Sequence, residues 1–301
     1  MRFLTGFLAI VFTAFVPFSL AVAAETGQEA VKSLEAARDE ATALADAGKP
    51  SDAVTAYEKA AKSVVASAGA DSDAGQVLTR ALASAEKIDD PAARAGRLAI
   101  GVQEAIVALT FKPKMEAELP EGFPKPGPVG EVIVKEYPAY RMARTAMSGQ
   151  NQAFLTLFKH IEGNGIAMSA PVEMGYRRGE KAGAAPEPRT MAFLYGKPTI
   201  GAPGKQGDVD VVDVPAITVV SIGVRGSYND ERMADTSKRL DAWLEAHKDQ
   251  YERAGEPRFL GYNSPFVPPW QQYGEAQVPV KRTAGAGGGA AKGEITAPAG
   301  R

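Results

Sequence analysis

The feature that most constrains the fold is an internal repeat between residues 131 and 282. Each copy predicts two strands, a helix and two more strands, because alternating Val, Ile, Tyr and Phe flank an amphipathic stretch. Residues 137–139 (Tyr-Pro-Ala) correspond to residues 214–216 (Val-Pro-Ala). One copy alone would expose a sheet face and a helix stripe, whereas two copies can bury both around a pseudo-twofold axis. We predict an α+β fold, a duplicated ββαββ unit forming an eight-stranded, mostly antiparallel, barrel-like sheet with two helices.

The first 24 residues predict a secretory signal peptide. Arg2 precedes an apolar run that contains Pro17 and ends in Ala-Val-Ala-Ala, which suits signal peptidase. A retained membrane anchor is the alternative, because the run is about long enough to span a bilayer. We expect cleavage, and hence a secreted or periplasmic protein with no membrane contact after cleavage.

An all-α region is predicted ahead of the repeat, over residues 25–110. Its helical periodicity places helices near residues 27–47, 50–68, 73–88 and 91–110. Residues 43–64 resemble one tetratricopeptide hairpin, but a functional solenoid needs about three repeats. A small bundle or spacer, or a surface for a protein partner, is therefore expected here.

Two further segments complete the predicted domain organisation. Residues 111–130 contain five prolines and predict a semi-extended linker. Residues 283–301 are of low complexity and predict a disordered tail. The folded repeat is thus expected to occupy residues 131–282.

Composition excludes several function classes. The formal net charge of −2 argues against nucleic acid as a partner. The absence of cysteine excludes disulfides and a thiol nucleophile, and two histidines argue against a multi-histidine metal site. Ser169 has no nucleophile elbow around it, and no glycine loop is placed to bind phosphate. The sequence therefore does not predict an enzyme.

A resemblance to a known family lies in the first copy of the repeat. The stretch FLTLFKHIEGNGIAMSAPVEM, residues 154–174, resembles the signature of the SOUL heme-binding family: an amphipathic helix, then I-x-G-x-N, then M-[ST]-x-P-V. The matching residues are Phe154, Phe158, Ile161, Gly163, Asn164, Ile166, Met168, Ser169, Pro171 and Val172, with Asn164 one position earlier than the signature places it. The chain departs from the family at His160, where an aromatic Tyr is usual, and at residues 274–276, where Gly-Glu-Ala replaces Asn-Glu-Val.

The resemblance implies the duplicated α+β barrel and the binding of heme or a related tetrapyrrole in a hydrophobic groove. The family has no invariant axial ligand, so iron ligation stays open. His160 lies on the flank of the first helix's apolar stripe, about 110° from its centre, and His247 falls within the stripe of the second helix. Heme iron accepts His or Met. The candidate tetrapyrrole-binding residues are His247, His160, Met168, Met174, Phe158, Arg144 and Arg225, with either histidine as the iron ligand and the arginines for the propionates.

Three hypotheses follow for function. The first is non-enzymatic binding of heme or another tetrapyrrole, for transport or buffering, by an exported protein. The second is a module for another hydrophobic small ligand, or a protein-interaction scaffold. The third is a tetrapyrrole-modifying enzyme, such as a dechelatase or a heme-degrading activity.

Overall fold

The structure is a computed structural model that describes residues 18–70, 72–179, 186–226 and 229–283. The chain divides into two compact units, Met1–Phe111 and Lys112–Arg301. Most of the predicted signal peptide and of the predicted disordered tail lies outside the described residues. Within the described part of the chain, no helix combines the length and apolar character that crossing a membrane requires.

The first unit contains four helices. They are α1 (Phe18–Asp46), α2 (Pro50–Ala68), α3 (Asp73–Ala85) and α4 (Pro91–Thr110). Local signals explain their starts: the side chains of Ser72 and Asp90 accept hydrogen bonds from the first turns of α3 and α4. Gly48 lies in the turn just after α1 with a φ of 73°, in the left-handed region that favours glycine. All four predicted helices are therefore present.

Small side chains dominate the core of this helical unit. Leu34, Leu78 and Leu98 are fully buried among many alanines. Gly101 of α4 lies so close to α3 that a Cβ atom there would be 2.2 Å from the Cβ of Ala81. The Ala-rich composition thus allows the helices to approach closely, as a packed bundle requires.

The second unit contains one antiparallel sheet and two helices. Its elements are β1 (Val132–Tyr137), β2 (Tyr140–Ala146), α5 (Gln150–Gly163), β3 (Val172–Arg177), β4 (Glu187–Leu194), β5 (Gly204–Gln206), β6 (Val209–Val214), β7 (Ile217–Arg225), α6 (Asp230–Ala246), β8 (Tyr251–Arg253), β9 (Arg258–Gly261) and β10 (Tyr273–Arg282). The strand order is β1-β7-β10-β9-β3-β4-β2-β6-β5, and β8 pairs with β10.

The α+β prediction is confirmed, with two corrections. The described residues form ten strands, not eight, because the three-residue β5 and β8 were not predicted. The sheet is open rather than a closed barrel, since β1 and β5 do not pair with each other.

The strand order carries the internal repeat. Exchanging β1 with β6, β2 with β7, β3 with β9 and β4 with β10 reproduces the same order, read backwards from β6 to β1. Pro138 and Pro215 occupy equivalent two-residue connections, β1 to β2 and β6 to β7. The β3–β9 pair is at the centre, where the two copies meet.

The two faces of the sheet have different chemistry. On one face α5 and α6 cover an apolar core that includes Leu157, Met174, Phe193, Ile222 and Leu240. We call this the helix-covered face. Because side chains alternate along a strand, Lys135, Glu173, Glu275 and Gln277 lie on the opposite face, which we call the polar face.

Residues 120–130, which we call the strap, lie against the polar face. The Phe123 ring packs edge-on against Tyr137 and Tyr140, with centroid distances of 5.0 and 5.1 Å. The backbone amide of Glu121 donates to the Gly196 carbonyl, and that of Gly130 to the Gly223 carbonyl. This segment was predicted as a linker from its prolines, but it belongs to the second unit and packs on the sheet.

Pro171 marks the start of a strand. The sequence predicts a strand over residues 165–178 that Pro171 bends or ends, whereas β3 begins at Val172, directly after a cis Ala170–Pro171 bond. Residues 166–170 do not pair with a strand and are held by other hydrogen bonds. The Ser169 hydroxyl donates to the Leu194 carbonyl, and the Ala170 amide donates to the Glu118 carbonyl. Pro, which cannot donate to a sheet, thus sits just outside it.

Candidate functional site

Two of the predicted ligand-binding residues lie on α5, but on opposite flanks. Phe158 and His160 are two positions apart, which separates them by about 160° around the helix. Phe158 is 40% exposed and stacks on Phe154. His160 Nε2 lies 2.8 Å from the Tyr195 hydroxyl, and burial lowers the pKa of its imidazole. Its Nε2 is therefore already engaged inside the protein.

His247 is the C-terminal cap of α6 and is half-buried, as its place in the apolar stripe predicts. Its Nδ1 lies 2.8 Å from the Trp243 carbonyl oxygen, which can only accept, so Nδ1 carries the proton. The imidazole stacks on the Trp243 ring at 3.9 Å. Among the described residues Nε2 has no hydrogen-bond partner. A backbone carbonyl thus fixes one ring nitrogen, as is common in metal-ligating histidines, and Nε2 is left without a protein partner.

The two predicted methionines have different environments. Met174 lies in β3 and is buried in the apolar core of the helix-covered face. Met168 lies in the loop before β3 and is 39% exposed. Only Met168 can therefore touch a ligand without a change in the core.

Met168 and His247 lie at opposite ends of the sheet. Met168 precedes β3, whose Val172 pairs with Gly261, and Gly261 also pairs with Gly274 near the start of β10. His247 precedes β8, which pairs with the last residues of β10. A ten-residue strand is about 30 Å long. One tetrapyrrole cannot contact both residues.

The two predicted arginines are on different strands and half-buried. Arg144 lies within β2, opposite Ala192 and Asp210 in the neighbouring strands. Arg225 ends β7 opposite Tyr273, and its carbonyl accepts a hydrogen bond from the Arg232 guanidinium. The predicted site residues thus do not converge on one pocket, and His247 stands apart from the rest.

A buried network on the polar face was not predicted. Its members are at most 8% exposed, and they are Lys135, Tyr137, Tyr140, Glu173, Ser221, Arg258, Tyr262, Tyr273, Glu275 and Gln277. The sequence contains one indication of this network: Glu275 and Gln277 alternate with apolar residues of β10 that face the apolar core. Alternation alone does not distinguish a buried polar face from a solvated one.

Glu275 is the centre of the network. Lys135 Nζ donates to both carboxylate oxygens at 2.8 and 2.9 Å. Gln277 Nε2, the Tyr273 hydroxyl and the Gly127 amide of the strap donate at 2.8, 3.0 and 2.5 Å. Burial raises the pKa of Glu275, but the Lys135 charge and these donors outweigh it and hold the pKa below its ordinary value. Glu275 is therefore an ionised carboxylate in a fully buried place.

A second buried ion pair joins the two copies of the repeat. Arg258 Nη1 donates to Glu173 at 2.9 Å and to the Tyr140 hydroxyl at 2.6 Å, and Nε donates to Gln277. Its Nη2 is buried without a hydrogen-bond partner. An unpaired buried donor is costly and rare in folded proteins.

Metal chemistry is limited by the available ligands. Within the described ranges, no three His, Asp or Glu side chains come close enough together to hold a metal ion. A heme iron, which needs one or two protein ligands, is a different case.

Comparison with protein families gives a match over the sheet unit. The model of the SOUL heme-binding protein family matches residues 129–279. The chain belongs to the SOUL family. The resemblance seen in residues 154–174 is thereby confirmed, and the family's ligand makes heme or a related tetrapyrrole the cofactor to consider. Comparison with curated proteins gives no match.

Solved structures give more distant similarities. The C-terminal domain of EcmrR is 17% identical with a TM-score of 0.39, covering 51% of this chain and 98% of that one. A hydrolase from Listeria innocua is 11% identical with a TM-score of 0.37, covering 52% and 94%.

The residues around His247 fit what the SOUL ligand requires. A porphyrin needs apolar or aromatic surface, cations for its propionates and, for an iron ligand, a free imidazole nitrogen. Trp243 and Tyr251 are half-buried aromatic rings 5.7 Å apart, and the Arg282 guanidinium lies over Tyr251. His160 fits less well, because its Nε2 would first have to leave Tyr195.

Proposed function

We propose that the protein is an exported, non-enzymatic SOUL-family binder of heme or a related tetrapyrrole, which it transports or buffers. The family match over residues 129–279 carries this proposal. The apolar run of residues 1–24, followed by Ala-Val-Ala-Ala, supports export. N-terminal sequencing of the exported protein tests cleavage after residue 24, and an intact N-terminus would contradict it.

His247 is the residue that we propose would bind the heme iron. Its Nδ1–H is fixed on the Trp243 carbonyl, so the lone pair of Nε2 remains for iron. Trp243 holds the imidazole from one side by stacking, and Arg282 supplies positive charge for a carboxylate. Bound heme would supply a redox-active iron in a flat apolar ring.

A hemin titration read in the Soret region tests the proposal. We expect a saturable one-to-one shift in the wild type, and His247→Ala to move the Soret maximum and weaken binding by about tenfold or more. His160→Ala is the matched control and should leave the spectrum unchanged. A saturable shift that neither substitution alters would mean binding without a histidine ligand. The absence of any saturable shift would refute heme binding and favour another hydrophobic ligand.

The helical unit supports a protein partner as a second role. Ile100 and Val107 of α4 are 54% and 43% exposed, and residues seven apart share one helix face. This apolar pair on α4 is the surface that we propose for the partner. Ile100→Ser with Val107→Ser should abolish co-purification of that partner from the native host while leaving hemin binding intact. Retention of every partner by the double variant would refute this role.

A further inference from the structure

The strap covers the buried polar face and bonds to its network through backbone atoms. The Gly127 amide donates to Glu275, and the Gly127 carbonyl accepts from the Tyr273 hydroxyl. The Lys125 carbonyl accepts from Lys135 Nζ at 2.9 Å. The strap is therefore attached to the network by three polar contacts.

Glycines with left-handed backbones lie near the start and at the end of the strap. Gly122 and Gly130 have φ values of 76° and 75°. Gly127 is also held closely, since a Cβ atom there would be 3.0 Å from Ile133 Cδ1 and 3.3 Å from Glu275 Oε1. A larger side chain at residue 127 would therefore push the strap away from the sheet.

Phe123 of the strap and Arg258, which carries the unpaired donor, contact the same two tyrosines. Its ring packs on Tyr137 and Tyr140, and Arg258 touches the same two tyrosines: its guanidinium lies 5.0 Å from the Tyr137 ring, and its Nη1 donates to the Tyr140 hydroxyl. The Phe123 ring centre is therefore no more than about 10 Å from Arg258 Cζ. Arg258 is more than nine-tenths buried, and its Nη2 has no hydrogen-bond acceptor.

The charges on this face decide which ligand it accepts. Lys135 is paired with Glu275 and Arg258 with Glu173, so the four charges cancel. A further anion would be buried without a counter-charge, which is strongly unfavourable. A neutral oxygen acceptor would satisfy Nη2 at no such cost. The ring in the place of Phe123 should be flat and aromatic, because edge-on contacts with tyrosines favour it.

We propose that the strap is a lid and that the polar face beneath it binds an uncharged flat aromatic molecule bearing a carbonyl or hydroxyl oxygen. In the closed state Phe123 takes the place of the ligand's ring. When residues 123–129 swing out, the ring binds between Tyr137 and Tyr140, and Arg258 Nη2 donates to the oxygen. This site is separate from His247, and it does not depend on tetrapyrrole binding.

Calorimetric titration with two probes of one shape tests the proposal. Acetophenone is neutral with a carbonyl oxygen, whereas benzoate has the same ring and a charge. Only molecules with an open lid can bind, so the apparent affinity of the wild type is the intrinsic affinity multiplied by the open fraction. Phe123→Ala raises that fraction and should bind acetophenone at least about tenfold more tightly than the wild type. Benzoate should bind neither protein. Phe266→Ala, which removes a 93% exposed ring, is the matched control and should behave as the wild type.

Amide hydrogen exchange at Gly127 and Gly130 shows independently whether the lid has opened. Gly127→Val is the second opening variant, read at Gly130. Faster exchange without tighter acetophenone binding would overturn the ligand site. Unchanged exchange in both variants would overturn the lid. Equal binding of benzoate and acetophenone would overturn the assignment of a neutral ligand, and a hemin titration of the same samples reports separately on the tetrapyrrole site.

Discussion

The two faces of the sheet are both buried, but by different means. On the helix-covered face, Leu157 of α5 and Leu240 of α6 are fully buried among other apolar side chains. On the polar face, Glu275 and Lys135 are equally inaccessible, yet both are charged. Apolar burial stabilises in proportion to the area removed from water. A buried ion pair stabilises little relative to an apolar pair, but it strongly penalises the loss of one partner.

The largest expected effect comes from breaking the ion pair on the polar face. Glu275→Leu should lower the free energy of unfolding by about 3–5 kcal/mol, because Lys135 is left buried without a counter-charge. Lys135→Met added to Glu275→Leu should restore at least half of the loss. Denaturant unfolding followed by tryptophan fluorescence measures this in the sheet unit alone, since Trp243 and Trp270 both lie there. Additive losses in the double variant would mean that pairing of charges does not dominate this face.

On the helix-covered face, the loss of side-chain volume should lower the free energy of unfolding. No second substitution of a charged partner can restore it there. Leu157→Ala and Leu240→Ala should each cost about 2–5 kcal/mol, from lost burial and the cavity left behind. The two leucines begin corresponding stretches of the two helices, Leu-x-x-His-Ile-Glu from residue 157 and Leu-x-x-Trp-Leu-Glu from residue 240, so we expect the costs to agree within about 1 kcal/mol. Leu155→Ala is the control: this residue of α5 is 52% exposed, and its loss should cost less than about 0.5 kcal/mol. Clearly unequal costs at the two buried leucines would show that the copies do not share the core evenly.

The same contrast explains what the sequence could predict. The helix-covered face could be predicted because its residues follow the periods of strands and helices, as Leu157 and Leu240 do. The corresponding prolines, Pro138 and Pro215, also marked equivalent connections correctly. β5 and β8 were missed because three residues are too few to show alternation.

The polar face could not be derived in the same way. Lys135 and Glu275 are 140 positions apart, and nothing local to either residue indicates that they pair. Prolines in the strap suggested a linker, because their extended backbone is the same whether it is solvated or packed on a sheet. The environments of the two histidines likewise depend on long-range or capping contacts, with Tyr195 for His160 and the Trp243 carbonyl for His247. That His247 rather than His160 binds the heme iron remains a prediction, which the hemin titration tests.

Low pH should distinguish the two faces, because only variants of the polar face should show a pH-dependent change in the free energy of unfolding. The folded-state pKa of Glu275 is held below its ordinary value of about 4.3, so its ionised form stabilises the protein above that pH. This contribution is lost as pH falls through the lower folded-state pKa, at about 1.4 kcal/mol for each unit of lowering. The stability difference between the wild type and Glu275→Gln should therefore shrink as pH falls below about 4. For Leu157→Ala, which removes no titrating group, the difference should stay constant over the same range. A constant difference for Glu275→Gln as well would mean that the carboxylate has the same pKa in the folded and unfolded chains, and that the polar face is held by its hydrogen bonds rather than by its charges.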